Sequence, residues 1–444
     1  MDSTVKSIPA PKKLLNRNFV LLWQGQFVSQ LGTQLMAVTL TFWIKHATGS
    51  ASLLGIIQMV STLPTILLGP IGGAYADRYS RRNILLAGEI LRGLMLLLLA
   101  GFVFMMPTAT NAILVWLFVV MIINGAVLAF FSPAISAAVP DLVAEEHING
   151  ANSLGQIAFQ LSTFLGQGLG GVLYRVIGAS TLFFINGLFY FFSAFSVLFL
   201  QIPQVVKKAD GSWRRRLRAF QQETITGFRY IWRTKGLREM LMLSALMAFF
   251  TTPVVVLLPF YVEDFLKATT DWYGFMLAAY GVGSMIGYLL AGALRVQGRM
   301  RVVTVTGCII LSSLGYALLG WTRVPQVAVV LAALGGITGG FVTVNITTIM
   351  QLQTPPDLRG RVFGLLGTIS GSLTPIAMGL AGVIADLVNQ NIPLIYVANG
   401  IIMGCLSILM ASKSAFREFL SYKVPETETL DDNVKDSLRP QNFV

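Results

Sequence analysis

Charge is what this chain has least of. Asp, Glu, Lys and Arg together make up 12% of its 444 residues, against 55% hydrophobic ones, where soluble domains carry about 25% charged residues. A water-soluble fold cannot hide that much apolar surface, because the buried fraction rises only slowly with size. Lipid must be the solvent for most of it. Cysteine and histidine are equally sparse. Cys308 and Cys405 sit far apart inside apolar runs, and His46 and His147 lie beyond any ligand spacing. The cysteines read as packing, and no metal or cofactor site is expected. No Gly-rich phosphate loop with its Lys is present, which excludes a built-in ATP motor. No nucleophile or metal cluster stands at membrane depth, so the chain does not read as an enzyme. The net charge of +12 comes without any base-reading motif or basic stripe interleaved with aromatics, so it does not point to nucleic acid. No cleavable signal peptide is expected, since residues 1–18 are polar and the first apolar run is too long to be an h-region.

What the chain does have is apolar runs. A membrane-spanning helix needs about 20 mostly apolar residues, and twelve such runs occur: 19–45, 51–75, 83–106, 112–136, 148–175, 179–201, 239–262, 272–294, 302–322, 326–350, 361–388 and 393–412. Backbone polar groups in hydrocarbon must be paired internally, so the runs are predicted to be helices. The expected fold is an all-α polytopic membrane protein of twelve transmembrane helices.

Lys and Arg set the expected orientation. With both termini cytoplasmic, the cytoplasmic segments carry 27 basic residues, and the outer loops carry four: Lys45, Arg175, Lys267 and Arg323. The positive-inside rule then puts both ends inside a cell membrane. The one long internal connection, 202–238, holds ten basic residues against Asp210 and Glu223. Around Trp213–Trp232 it is expected to form an amphipathic helix on the anionic cytoplasmic leaflet. The tail from Pro425 is acidic and reads as disordered.

The halves read as repeats. Gly55 and Gly73 recur as Gly274 and Gly292, each 219 residues later, and Pro140-Asp141-Leu142 recurs 216 later as Pro356-Asp357-Leu358. Two landmarks agreeing within three residues argue for duplication. The expected organisation is a six-helix half over 1–201, the basic linker 202–238, a second half over 239–412 and a cytoplasmic tail over 413–444.

The sharpest motif follows the second run: Gly73-Ala-Tyr-Ala-Asp77-Arg78-Tyr-Ser80-Arg81-Arg82. Gly73 would let helices approach closely. Asp77 could pair with a facing helix N-terminus and latch one conformation, and Arg78, Arg81 and Arg82 could grip carboxylates or lipid phosphates. Ordinary positive-inside charge is the plainer reading. The stretch resembles the signature loop of the major facilitator superfamily, Gly-x-x-x-Asp-Arg-x-Gly-Arg-Arg, with Ser80 in place of the usual Gly. In the fifth run, Ser162-Thr-Phe-Leu-Gly166-Gln167-Gly-Leu-Gly170-Gly171 is similar to the antiporter motif of drug-exporting members, with Gln167 in place of Pro. It suggests either tight packing at the half–half interface or a plain small-residue seam. The opening Trp23-Gln-Gly25-Gln26 to Gly32 and the run Pro133 to Pro140 resemble the branch containing macrolide-efflux pumps and the enterobactin exporter. Many of that branch carry an acid in the first span, where this chain has Thr33.

The resemblance implies two six-helix bundles rocking about a midplane site. The expected function is ion-gradient-driven export of amphipathic small molecules, with protons as the expected coupling partner. A siderophore exporter or lysophospholipid flippase is the alternative, and a membrane receptor the outsider. Polar residues inside spans are the candidates for contact with substrate. Gln26, Gln30 and Gln34 recur on one helical face, either lining a cavity or bonding between helices, and Asn345 is their counterpart in the tenth run. Glu89 and Arg92 lie at i, i+3. They form either a structural pair or a proton-coupling site, with Asp386 a further candidate near the outer end of its span. The topology carries a first test. Cysteines introduced at Ser3, Ser212 and Ser437 should stay unlabelled by an impermeant reagent in intact cells, and ready labelling at any of them would overturn it.

Overall fold

The computed structural model describes residues 13–204, 225–226, 228–294 and 296–422. Of the interfacial helix expected around Trp213–Trp232, residues 213–224 lie outside the described residues and 228–232 are helical, and the acidic tail from Pro425 also lies outside them. Among the described residues all regular structure is helical. The long helices are α1 (Arg17–Thr48), α2 (Ala51–Arg78), α3 (Arg81–Met105), α4 (Thr110–Leu142), α5 (Ile148–Leu198), α6 (Leu237–Val256), α7 (Asp271–Leu294), α8 (Gly298–Leu319), α9 (Pro325–Gln353), α10 (Pro356–Leu387) and α11 (Ile392–Ser412). All eleven are long and apolar enough to cross a membrane. The fifth crosses twice. Gly178, at φ 75° and ψ 171°, breaks it into arms 148–177 and 179–198, here α5a and α5b. Glycine is the residue that takes this left-handed φ without strain. Twelve passes result, one for each predicted run.

Local chemistry ends the helices where short polar links interrupt the apolar runs. The Asn16 side chain accepts from Phe19 N–H to start α1, and Gly49 closes it with φ 64°. Ser50 caps α2. Ser80, where the resembling family has Gly, caps α3 by accepting from Asn83 N–H at 3.4 Å. Its φ is −57°, so this turn needs no glycine. A side-chain oxygen satisfies an otherwise unpaired N–H and is worth about 1 kcal/mol.

The passes form two bundles, one of α1–α5 and one of α6–α11. Links of two residues join α1 to α2 and α2 to α3, which makes neighbours antiparallel. Small residues carry the closest approaches. A Cβ on Gly72 would collide with the Ala129 carbonyl of α4, and one on Gly283 with that of Ala333 in α9. Gly73, expected to make such a contact, meets open space, so Gly72 is the packing glycine of that turn. Without a hydrophobic drive between helices in lipid, this close fit is the main source of association.

The two bundles meet along α2 with α10 and α5a with α7, and the duplication shows in those contacts. Gly55 abuts the Met378 carbonyl, and Gly382 abuts that of Ala51. Gly274 abuts the Gly168 carbonyl, and Gly171 that of Thr270. Gly274 and Thr270 lie 219 residues after Gly55 and Ala51, the same offset that relates the sequence landmarks. Every one of these contacts sits near the α1–α2 connection, away from the arginine-rich α2–α3 turn. A Cβ on Gly69 or Gly73 of α2, or on Gly360 or Gly364 of α10, near the other end, would meet nothing within 4 Å beyond its own helix. The bundles therefore touch at one end and part at the other. Gly55→Ala should force the touching helices apart and cost about 1–3 kcal/mol, lowering the melting temperature in detergent. Gly73→Ala should leave that temperature unchanged or slightly raised. Equal effects at both sites would refute the one-ended contact.

Candidate functional site

Between the bundles lies a cavity of about 510 Å³. The first bundle supplies most of its wall: Thr33, Met36 and Leu40 of α1, Gln58, Ser61 and Thr65 of α2, Arg92 and Met95 of α3, Met121 and Asn124 of α4, and Tyr190 of α5b. Val255 of α6, Tyr273 of α7 and Met378 of α10 complete it from the second bundle. A mostly apolar pocket with a few convergent polar groups is the usual form of a small-molecule site.

Thr33, Arg92, Asn124 and Tyr190 of this wall belong to one network. Glu89 is fully buried and Arg92 4% exposed, with 3.8 Å between Arg92 Nη1 and Glu89 Oε2. Ser193 donates to Glu89 at 2.9 Å, and Ser29 at 3.2 Å. Arg92 donates to Asn124 Oδ1 at 2.8 Å, to Thr33 Oγ1 at 2.8 Å and to the Tyr190 hydroxyl at 2.7 Å. Its guanidinium also lies 4.0 Å from the centre of the Tyr190 ring. Four elements thus hold one buried ion pair, and Thr33 serves as an acceptor for Arg92. A buried charge is tolerable only when paired and hydrogen-bonded in this way.

The expected cavity glutamines sit elsewhere. Gln26 is buried, and Gln34 accepts from Gln167 Nε2 at 2.7 Å. Gln26, Gln30 and Gln34 do share one face of α1, but Gln34 meets α5a, Gln26 Nε2 and Gln30 Oε1 are buried without a hydrogen-bond partner among the described residues, and none of the three lines the cavity. Asn345 is buried in α9 and donates to the Phe341 carbonyl of its own helix at 3.0 Å, also off the cavity. Of the α5a motif, Gly166 packs on Leu31 and Gln34, and Gly170 on Val38 of α1, inside the first bundle. Gln167 and Gly171 are the named motif residues that reach the second bundle: the Gln167 carbonyl lies against Gly274, Gly171 lies against Thr270, and Gln167 also lines the cavity.

The α2–α3 turn is braced inside its own bundle. Arg81 pairs with Asp141 of α4, the aspartate of the first Pro-Asp-Leu landmark. Arg82 donates to the Val197 and Leu198 carbonyls of α5b. Arg78 Nε is buried without a hydrogen-bond partner among the described residues. Asp77 is exposed and makes no hydrogen bond or ion pair among them.

The touching end carries Lys45 and Arg175, which the sequence places in outer loops, and Asp386, a coupling candidate there. Among the described residues, the hydrogen bonds and ion pairs that join α1–α5 to α6–α11 and the turns extending α6 all lie here. Lys45 pairs with Glu263 and, at 3.0 Å, with Asp264. His46 Nε2 lies 3.0 Å from Glu263, and Arg175 lies 2.9 Å from Asp271. Asp386 accepts from Ala51 N–H at 3.1 Å, Ser52 N–H at 2.8 Å and the Ser50 hydroxyl at 2.9 Å. It therefore caps α2 across the interface and stands apart from the cavity. A signal was available in the sequence: Lys45 and Asp264, of opposite sign, are 219 residues apart.

Glu263 lies in the π-helical turn Tyr261–Phe265 beyond α6. Burial disfavours its charged form, but hydrogen bonds from His46 and Lys45 outweigh that and hold its carboxyl below the ordinary range. A lowered pKa means that the closed end gains stability above the usual Glu value of about 4.3 and loses it as pH falls through the lowered one.

The sequence profile described as Major Facilitator Superfamily matches residues 22–378 and again 266–429. Macrolide efflux protein A of Streptococcus pyogenes is 25% identical over 396 residues, covering 88% of this chain and 94% of that protein. Multidrug efflux pump Tap of Mycolicibacterium fortuitum is 26% identical over 371 residues, covering 80% and 86%. Among solved structures, a bacterial homologue of the iron transporter ferroportin in an inward-facing state aligns with a TM-score of 0.68 at 15% identity, covering 90% of this chain and all of that one. A D-xylose-proton symporter aligns at 0.66 and 15% identity, covering 93% and 98%.

The closed-end ion pairs can be tested directly. Glu263→Gln should open this end in part, since losing a charged hydrogen-bond partner costs about 1.5–3 kcal/mol. Spin labels at Ala47→Cys and Asn389→Cys, both exposed there, should report a longer distance in that variant at pH 7 and in the parent only below about pH 4. An unchanged distance distribution in both would mean that the pairs do not hold the end shut.

Proposed function

The chain belongs to the major facilitator superfamily, and on that premise we propose that it exports amphipathic small molecules of the drug or macrolide kind by ion-gradient-driven alternating access. It is a multi-pass membrane transporter and not an enzyme. The single observation that carries the mechanism is a cavity between two bundles that are joined at one end and parted at the other. Such a shape is one of the two states that rocking bundles exchange.

In this reading the arginine-rich end is cytoplasmic, as the distribution of Lys and Arg supports. The structure is then inward-open, and substrate enters the cavity from the cytoplasm. Closing that end brings α2 and α10 together where Gly69, Gly73, Gly360 and Gly364 now face open space. Asp77 at the end of α2 would then meet the N-terminus of α10 and be stabilised there by the helix dipole. Asp386 at the end of α10 makes the reciprocal contact in the present state. Each helix would thus lend an aspartate to the other's N-terminus, one at a time. Neither state keeps both caps, so neither is a trap.

Glu89 and Arg92 are the coupling pair in this proposal. A buried carboxylate favours its neutral form, while the neighbouring guanidinium favours the charged one. A change that alters their separation alters proton affinity, and the present 3.8 Å leaves room for it to tighten. The carboxylate is then internal to the first bundle, and the pair reaches the cavity through Arg92. The likeness to macrolide and multidrug efflux proteins supports the substrate class and the direction.

The test is uptake of a fluorescent drug into inverted vesicles with an imposed pH gradient. Wild type should accumulate it only with the gradient, whether or not ATP is present. Glu89→Gln should lose gradient-driven accumulation by at least tenfold while retaining expression and counterflow exchange. Accumulation equal to wild type would make Glu89 a packing partner and move the coupling elsewhere.

A further inference from the structure

We infer that the cavity selects against positively charged substrates, taking amphiphiles whose polar head is neutral or anionic, so that amine-bearing members of the class proposed above enter it unprotonated, and that Arg92 makes the selection. This rests on the reading of the cavity as the transport site. Among the residues lining it, Arg92 is the one Asp, Glu, Lys or Arg side chain. Its partner Glu89 has no exposure and does not reach the wall, and its two carboxylate oxygens are held by Ser193 and Ser29. The ion pair is therefore oriented, with the guanidinium toward the cavity and the carboxylate behind it. A ligand in the cavity meets the positive end of that dipole.

A cationic head would lose its water and find no carboxylate on the wall to replace it. An oxygen acceptor fares differently. Arg92 presently donates to Asn124 and Thr33 at 2.8 Å each, and both of these neutral acceptors line the cavity. A ligand carboxylate or carbonyl can take the place of either, and a charged acceptor forms the stronger bond. The body of the amphiphile would lie against Met36, Met95, Met121 and Met378, side chains flexible enough to fit varied shapes.

The experiment uses the purified full-length chain and three naphthyl-alkyl probes of equal length, ending in a carboxylate, its methyl ester or a trimethylammonium group. Titration should give binding of the carboxylate and the ester, with the ammonium at least tenfold weaker. Asn124→Asp places a carboxylate beside the guanidinium and should shift the order the other way, weakening the carboxylate probe and strengthening the ammonium. Comparison with this variant cancels any difference in partition into detergent, and it keeps Arg92, so the test stands even where Arg92→Gln fails to fold. Ammonium binding as tight as carboxylate binding in the parent, no binding of any probe, or an order unmoved by Asn124→Asp would each overturn the inference. Flux into inverted vesicles separates this from the export reading. Binding in the expected order without flux would sink export and leave the charge selection standing. Transport of the ammonium in place of the carboxylate would do the opposite.

Discussion

Everything in this structure depends on how closely two helix backbones can approach where the bundles meet. Lipid gives apolar surfaces no reason to associate, so contact must come from fit and from polar pairing. Glycines let α2 approach α10, and α5a approach α7, until backbone carbonyls abut α-carbons. Only at that separation can Asp386 reach the N–H groups of Ala51 and Ser52, or Arg175 reach Asp271. The charges seal the end, but the glycines bring them within range. Because the seam occupies one end, the other end is free to part, and the cavity between them exists only as a result.

The buried network of the first bundle obeys a different constraint. Glu89 and Arg92 would be prohibitively costly in hydrocarbon if either stood alone. Ser29, Thr33, Asn124, Tyr190 and Ser193 supply the hydrogen bonds that make them tolerable. These partners come from α1, α4 and α5b, so the network also ties those passes to α3. A substitution here acts on bundle integrity and on the cavity wall together, which is why a binding test with an order of preference says more than a loss of activity.

Much of the fold was legible in the sequence because run length and charge are one-dimensional quantities. Twelve apolar runs became twelve passes, and even the joint between 148–175 and 179–201 lies at Gly178. The repeat offset of 219 was legible too, and the bundle contacts obey it. The cavity was not. Gln26, Gln30 and Gln34 share a face, but nothing in a lone helix says which neighbour that face will meet. The rotation of α1 is decided by Gly166 and Gly170 packing against it from α5a. Asn345 was misread for the same reason, since its amide turned back to its own helix. Gly73 and Gly72 are adjacent and chemically identical, and only the approach of α4 distinguishes them. The loop charges were visible but were counted for orientation alone, and their pairing needed the repeat offset applied to sign as well as to position.

The opposite signs at equivalent places bear on where such a chain could have come from. Lys45 and Asp264 occupy equivalent places in the two repeats and touch each other, so they lie close to the pseudo-twofold axis. In a symmetric pair of identical copies, a residue on the axis faces itself. Two lysines there would repel, as would two aspartates. The present attraction is available only to copies that have diverged, and divergence of this kind is easiest once both reside in a single chain. The same inversion appears away from the axis, where Arg175 reaches toward the start of α7 while Asp386 reaches toward the start of α2. A seam built of opposite signs also gives the two halves distinct identities. Each bundle is electrostatically matched to the other and mismatched to a second copy of itself, so the joined halves recognise one another and have no use for self-pairing across this face.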